Sequence, residues 1–85
     1  MNMNYKIRLN TLESAKHFVN ICSKFEEDID YKIGRYIIDA KSILGILSTD
    51  LTKEAIVEFY SNDANSIYKF ETLIDGFRTD VKYYS

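Results

Sequence analysis

Cysteine and histidine each occur once in the 85 residues, as Cys22 and His17. One thiol cannot close an internal disulfide, and the pair is too small for a Cys-rich zinc site. No metal and no cofactor are expected. Long apolar runs are also missing. The opening Met1-Asn2-Met3-Asn4-Tyr5-Lys6-Ile7-Arg8 has no continuous apolar segment of the secretory kind, and no later stretch approaches the roughly 20 apolar residues of a membrane span. A cytoplasmic protein without a membrane partner is expected. Nor is basic charge in excess: 11 Lys and Arg against 13 Asp and Glu give a net charge of -2. That balance excludes a surface basic enough to drive binding to a nucleic-acid backbone. Internal repeats, low-complexity tracts and linkers are absent.

What remains is an ordinary globular composition, 46% hydrophobic and 14% aromatic, which suits one domain over residues 1–85 and leaves no room for a second core. Met3, Tyr5, Ile7 and Leu9 alternate with polar residues, the period of a strand with one buried face. From Thr11 the period becomes helical: Leu12, Ala15, Phe18, Val19 and Cys22 form a stripe, and the helix is predicted to run to about Lys24. Ile29, Tyr31 and Ile33 alternate again. Gly34-Arg35 then suits a type II′ hairpin turn leading to Tyr36-Ile37-Ile38, so these two strands pair antiparallel. A short helix over Ser42 to about Leu47 and a turn at Asp50 and Thr52 precede the β-prone run Ala55 to Tyr60. Ser61-Asn62-Asp63 offer capping side chains for a last helix marked by Ile67, Phe70, Ile74 and Phe77. Gly76 weakens its end, and the tail from Arg78 to Ser85 is expected to fray. The order βαββαβα predicts an α+β open-faced β-sandwich, a four-stranded antiparallel sheet with helices on one face.

The segment Asp39 to Ser48 places Ser42 behind Lys41 at the start of the short helix. A Ser there caps the helix, and free backbone N–H groups at the same end favour an anion, so the position suits a phosphate or phosphoserine. A six-residue helix cannot bury Ile43, Leu44, Ile46 and Leu47 together. Ile46 is expected inward and one or two of the others outward, as a contact surface.

Ala40-Lys41-Ser42-Ile43-Leu44-Gly45-Ile46-Leu47-Ser48 resembles the regulatory-serine segment of the HPr family, the small histidine-containing phosphocarriers of the bacterial sugar phosphotransferase system. The resemblance extends through Val57-Glu58-Phe59 and the last helix, and it implies the HPr-like version of the predicted fold. It further implies that Ser42 is the target of a dedicated kinase and that Lys41, Ile43, Leu44 and Leu47 dock partner proteins. Thr49 and Asp50 stand where the family commonly has Leu-Gly. The family's other signature is a Gly-Leu-His-Ala-Arg-Pro-Ala loop opening the first helix. Aligned on Phe18-Val19, this chain has Leu9-Asn10-Thr11-Leu12-Glu13-Ser14-Ala15 there. Thr11 replaces the phosphoacceptor His, Glu13 the Arg and Ser14 the Pro.

An imidazole passes phosphate on through a labile N–P bond, whereas a Thr phosphoester is far more stable. Glu13 would repel an incoming phosphate where a guanidinium would bond it. Phosphotransfer is therefore expected to be lost, and the chain resembles the catabolite-repression paralogues that keep the Ser without the His. Thr11 reads as a helix cap, with Asn10 and Glu13 as a competing cap. His17 lies about 9 Å along the helix from Thr11 and about 240° round it, so it is expected on the solvated face with Glu13, Asn20 and Lys24. Cys22 is expected in the core. Tyr83 and Tyr84 read as part of the terminal tail. The expected function is non-catalytic: protein–protein interaction with an HPr kinase-like enzyme or a transcriptional regulator, switched at Ser42. The alternatives are a phosphocarrier using His17 and a ferredoxin-like small-molecule regulatory domain, against which the short middle helix and the helix after the fourth strand both argue.

Overall fold

A computed structural model describes residues 2–80. The strands are β1 (Asn2–Ile7), β2 (Ile29–Ile33), β3 (Tyr36–Asp39) and β4 (Ala55–Tyr60), and the helices α1 (Leu12–Cys22), α2 (Ile43–Leu47) and α3 (Ala64–Ile74), with a 3₁₀ turn over Asp75–Phe77. All pairings are antiparallel, in the order β1-β4-β2-β3. This is the predicted βαββαβα architecture.

The two-residue period explains the sheet's two faces. Tyr5, Ile7, Ile29, Tyr31, Ala55, Val57 and Phe59 are buried beneath the helices. Between them, Asn4, Lys6, Asp30, Lys32, Ile56 and Glu58 turn to the open side, where the Lys32 ammonium and the Asn2 amide both bond the Glu58 carboxylate. α1 contributes Ala15, Phe18, Val19, Ile21 and Cys22 to the core, and α3 contributes Phe70 and Ile74. Phe70 stacks on Phe59 at 4.4 Å between centroids, and Phe25 meets both rings edge-on at 5.4 and 5.5 Å. Burying each such ring contributes about 1.5–3 kcal/mol, so this cluster fixes α3 to the sheet.

Gly34 has φ 57 and Arg35 is not in the left-handed region, which matches the type II′ turn expected there, with Ile33 and Tyr36 directly opposed. Asp63 caps α3 by accepting from the Asn65 N–H at 2.9 Å.

Four expectations are corrected. α1 stops at Cys22 rather than near Lys24, because the Ser23 hydroxyl and N–H both turn back to the Val19 carbonyl and the chain winds down through tighter bonds. Leu12, predicted in the apolar stripe, is 46% exposed at the first position of α1. Phe77 lies in the 3₁₀ turn rather than in α3, and Arg78–Asp80 do not fray. The Thr79 N–H donates to the Lys6 carbonyl at 2.9 Å and Asp80 accepts from the Lys6 N–H at 3.0 Å, so the chain runs back along the outer edge of β1. Tyr83 and Tyr84 lie outside the described residues.

Candidate functional site

Two local structures carry the residues singled out by the sequence: the entry to α1, and α2. At the first, Asn10 takes φ 68, a left-handed conformation that Asn tolerates. This turn sets Thr11 as the N-cap, and its Oγ1 accepts from the Ser14 N–H at 3.1 Å. Asn10 lies outside the helix, so the competing Asn10 cap does not form. Glu13 is exposed in the first turn, and Ser14 is half-buried. His17 is exposed on the polar side, its ring edge-on to Phe77 at 5.7 Å. The helix therefore presents a hydroxyl, a carboxylate and, separately, an imidazole.

α2 is held by capping at both ends. The Asp39 carboxylate accepts from the Lys41 N–H at 2.9 Å and the Asp39 carbonyl from the Ser42 N–H at 2.9 Å, which turns the chain out of β3. Ser42 is the N-cap, its Oγ accepting from the Gly45 N–H at 3.2 Å. At the far end the Ser48 and Thr49 hydroxyls donate to the Gly45 and Ile46 carbonyls, each at 2.6 Å. So short a helix would be marginal alone, and these caps with the burial of Ile46 hold it.

Ile46 is inward as expected. Leu44 is 80% and Leu47 37% exposed, whereas Ile43 is half-buried and packs on the core. Lys41 is half-buried. Its ammonium donates to the Phe25 carbonyl at 2.7 Å and so ties the entry to α2 to the turn after α1. Burial pushes the nearby Cys22 thiol up to about 12, against the lowering pull of Lys41. The Asn10 N–H donates to the Leu51 carbonyl at 2.8 Å, joining the Thr11 turn to the loop behind α2. Sequence reasoning missed this link and the exposure of Leu12. A readable signal was Gly45, a poor helix former at the centre of a short helix: a Cβ there would meet Ile38 Cγ2 at 2.8 Å.

Among the described residues no group of three or more His, Cys, Asp or Glu side chains could hold a metal ion, and no helix is long and apolar enough to cross a membrane.

The model of the family described as "PTS HPr component phosphorylation site" matches residues 12–77. The chain belongs to the HPr family. That is a phosphocarrier family of the phosphotransferase system, whose members are not themselves classical enzymes. No curated protein matches the sequence. Among solved structures, the chain is similar to an HPr-C-His from Thermoanaerobacter tengcongensis, with 26% identity and a TM-score of 0.64 over 89% of this chain and 92% of the other. It also resembles the phosphocarrier protein HPr of Bacillus anthracis str. Ames, at 20% identity and TM-score 0.67 over 89% and 96% of the two chains. A Mycoplasma histidine-containing phosphocarrier protein follows at 18% identity and TM-score 0.65 over 89% and 93%. The last two likenesses establish the fold alone. With the HPr fold in place, the ferredoxin-like alternative is set aside: the helix between β3 and β4 has five residues, and α3 follows β4.

Proposed function

We propose that this HPr-family protein is non-catalytic and acts in the cytoplasm by binding other proteins through α2, with Ser42 as a regulatory phosphorylation site. The observation that carries this reading is the outward display of Leu44, and in part of Leu47, from a capped five-residue helix that buries Ile46 and packs Ile43 on the core. Leu44 is largely exposed and Leu47 partly so, and both follow closely on the serine that the family resemblance marks as a kinase target. An HPr kinase-like enzyme and a transcriptional regulator are the partners of matching chemistry.

The loss of phosphotransfer rests on Thr11. Its hydroxyl is occupied as a cap acceptor, its ester would be a poor phosphoryl donor, and Glu13 adds negative charge within the first turn. His17 is exposed but has no basic residue adjoining it on the helix except Lys16.

Two measurements test the reading. An HPr-type kinase that modifies a bona fide HPr should also phosphorylate Ser42, and the Ser42→Ala variant should take up no label. Incubation with phosphoenolpyruvate and the general phosphotransferase enzyme should leave no acid-labile phosphate on the protein. Label on His17 in the second experiment would replace this reading with that of a relocated phosphocarrier.

A further inference from the structure

The chain that runs back along the outer edge of β1 is held differently along its length. At Phe77 the hold is apolar. The ring is half-buried and edge-on to Phe18 at 5.9 Å, and the Phe77 carbonyl accepts from the Arg8 N–H at 2.9 Å. From Arg78 to Asp80 no apolar side chain is inserted. The Arg78 guanidinium lies over the Tyr5 ring at 4.9 Å, the Thr79 hydroxyl donates to Glu54, and Thr79 and Asp80 are exposed.

Asp80 makes the closure. In a regular antiparallel pair the Lys6 N–H would meet a main-chain carbonyl, beside the bond that the Thr79 N–H gives the Lys6 carbonyl at 2.9 Å. Here the acceptor is the Asp80 carboxylate, at 3.0 Å, and its other oxygen takes the Arg78 Nε–H at 2.9 Å. One side chain thus ends the pairing with β1 and holds the cation that sits on Tyr5. Three other groups face this carboxylate's surroundings: the Tyr5 hydroxyl of β1, Glu71 of α3, to which that hydroxyl donates, and Glu54 before β4. The Lys6 side chain turns to the open face of the sheet.

We infer that Arg78–Asp80 is a strap latched by the Asp80 carboxylate, which opens as a unit about Phe77 when that carboxylate loses its charge, while the sheet and helices stay folded. Opening breaks polar bonds and the Arg78–Tyr5 contact, and it leaves Phe77 against Phe18. The charge matters because a carboxylate makes charge-assisted bonds to both the Lys6 N–H and Arg78, whereas the neutral acid no longer attracts the guanidinium. The open form therefore gains population as pH falls through the titration of Asp80. What it uncovers is the backbone of Lys6. Asn4, two residues away on β1, faces the same way, so the strap sets how much of this edge stands open.

Amide hydrogen exchange read residue by residue by NMR tests the latch. At neutral pH, Asp80→Ala should lower the protection of the Lys6 and Thr79 amides at least about tenfold. The Arg8 amide, bonded to Phe77, and the Tyr31 and Val57 amides within the sheet should stay within about twofold of the wild type. Asp80→Asn keeps an acceptor oxygen without the charge and should fall between. In the wild type the Lys6 and Thr79 amides should lose protection ahead of Tyr31 and Val57 as pH drops below about 4, and Asp80→Ala should show no such step. The inference is overturned if Lys6 and Thr79 keep wild-type protection in Asp80→Ala, since the carboxylate is then no latch. It is equally overturned if Arg8, Tyr31 and Val57 open with them, since the segment then has no opening of its own.

Discussion

Replacing Gly45 by Ala tests how closely α2 is seated against β3. A Cβ built at Gly45 meets Ile38 Cγ2 at 2.8 Å and Ser42 Oγ at 3.1 Å. Cγ2 is attached directly to the branched Cβ of a strand residue, so it cannot swing aside without leaving its rotamer well. The Ser42 oxygen is the cap acceptor and moves only by weakening its bond to the Gly45 N–H. Ala gains about 1 kcal/mol over Gly in helix propensity. Against this stand about 1–3 kcal/mol for forcing a methyl into filled space and part of a cap worth about 1 kcal/mol. The balance is a loss of about 1–2 kcal/mol.

In a domain of this size each kcal/mol lowers Tm by roughly 4–8 °C. Urea unfolding should show a lower midpoint with an unchanged slope. The same substitution in an Ile38→Ala background, where Cγ2 is gone, should cost at least about 1 kcal/mol less. An Ala that stabilises the wild type, or that costs the same in both backgrounds, would refute the account of α2 as a helix seated by its glycine.

Thr11→Ala should lower stability by about 1 kcal/mol and Thr11→Ser by less, since only the Oγ that accepts from Ser14 is needed; equal losses would show that the cap is not what Thr11 supplies. Cys22, buried and with its thiol pushed up to about 12, should resist alkylation in the native state at neutral pH and react fully in urea, and rapid native labelling would contradict its place in the core. Bonding to Lys32, then to Tyr60, holds the Glu58 carboxyl below its ordinary value. A group depressed on folding contributes stability present above its unfolded pKa and lost as pH falls through the folded one. Stability should therefore decline as pH drops below about 5, less steeply in Glu58→Gln; identical acid limbs would remove Glu58 from the explanation.

The fold was legible because its signals are local. One-sided burial leaves a period of two at Met3-Tyr5-Ile7 and at Ile29-Tyr31-Ile33, and the turn Gly34-Arg35 fixes their pairing without reference to the rest of the chain. The caps at Thr11, Ser42 and Asp63 were legible for the same reason: each hydroxyl or carboxylate bonds an N–H two or three residues on. What escaped depends on distant partners. Lys41 reads as a surface cation beside Ser42, but its ammonium goes to Phe25, sixteen residues back. Arg78–Asp80 read as a fraying tail, because nothing local encodes the β1 edge that pairs with them. Leu12 fits the helical stripe by spacing, yet it stands exposed at the helix start.

The placement of Lys41 bears on what a phosphate at Ser42 would do. In the unmodified protein the Ser42 Oγ accepts from the Gly45 N–H, and a phosphate oxygen could take over that bond, since negative charge at a helix start is favourable. The helix should therefore survive modification. Its charge would go unmatched by the adjoining cation, because Lys41 is committed to Phe25 and the Asp39 carboxylate lies on the approach to the helix. Some 1.5–2 negative charges would then stand beside Leu44 and Leu47, to be neutralised by basic groups of a partner. The phosphorylated form should accordingly bind its partner with a steep dependence on salt, while the unmodified form, binding through leucines, depends on it little. Titrations of both forms across ionic strength, with NMR shifts of residues 43–47 as the check on helix integrity, separate the cases. Parallel salt slopes, or loss of the helical shifts on phosphorylation, would show that the phosphate acts by remodelling α2 rather than by offering a charge.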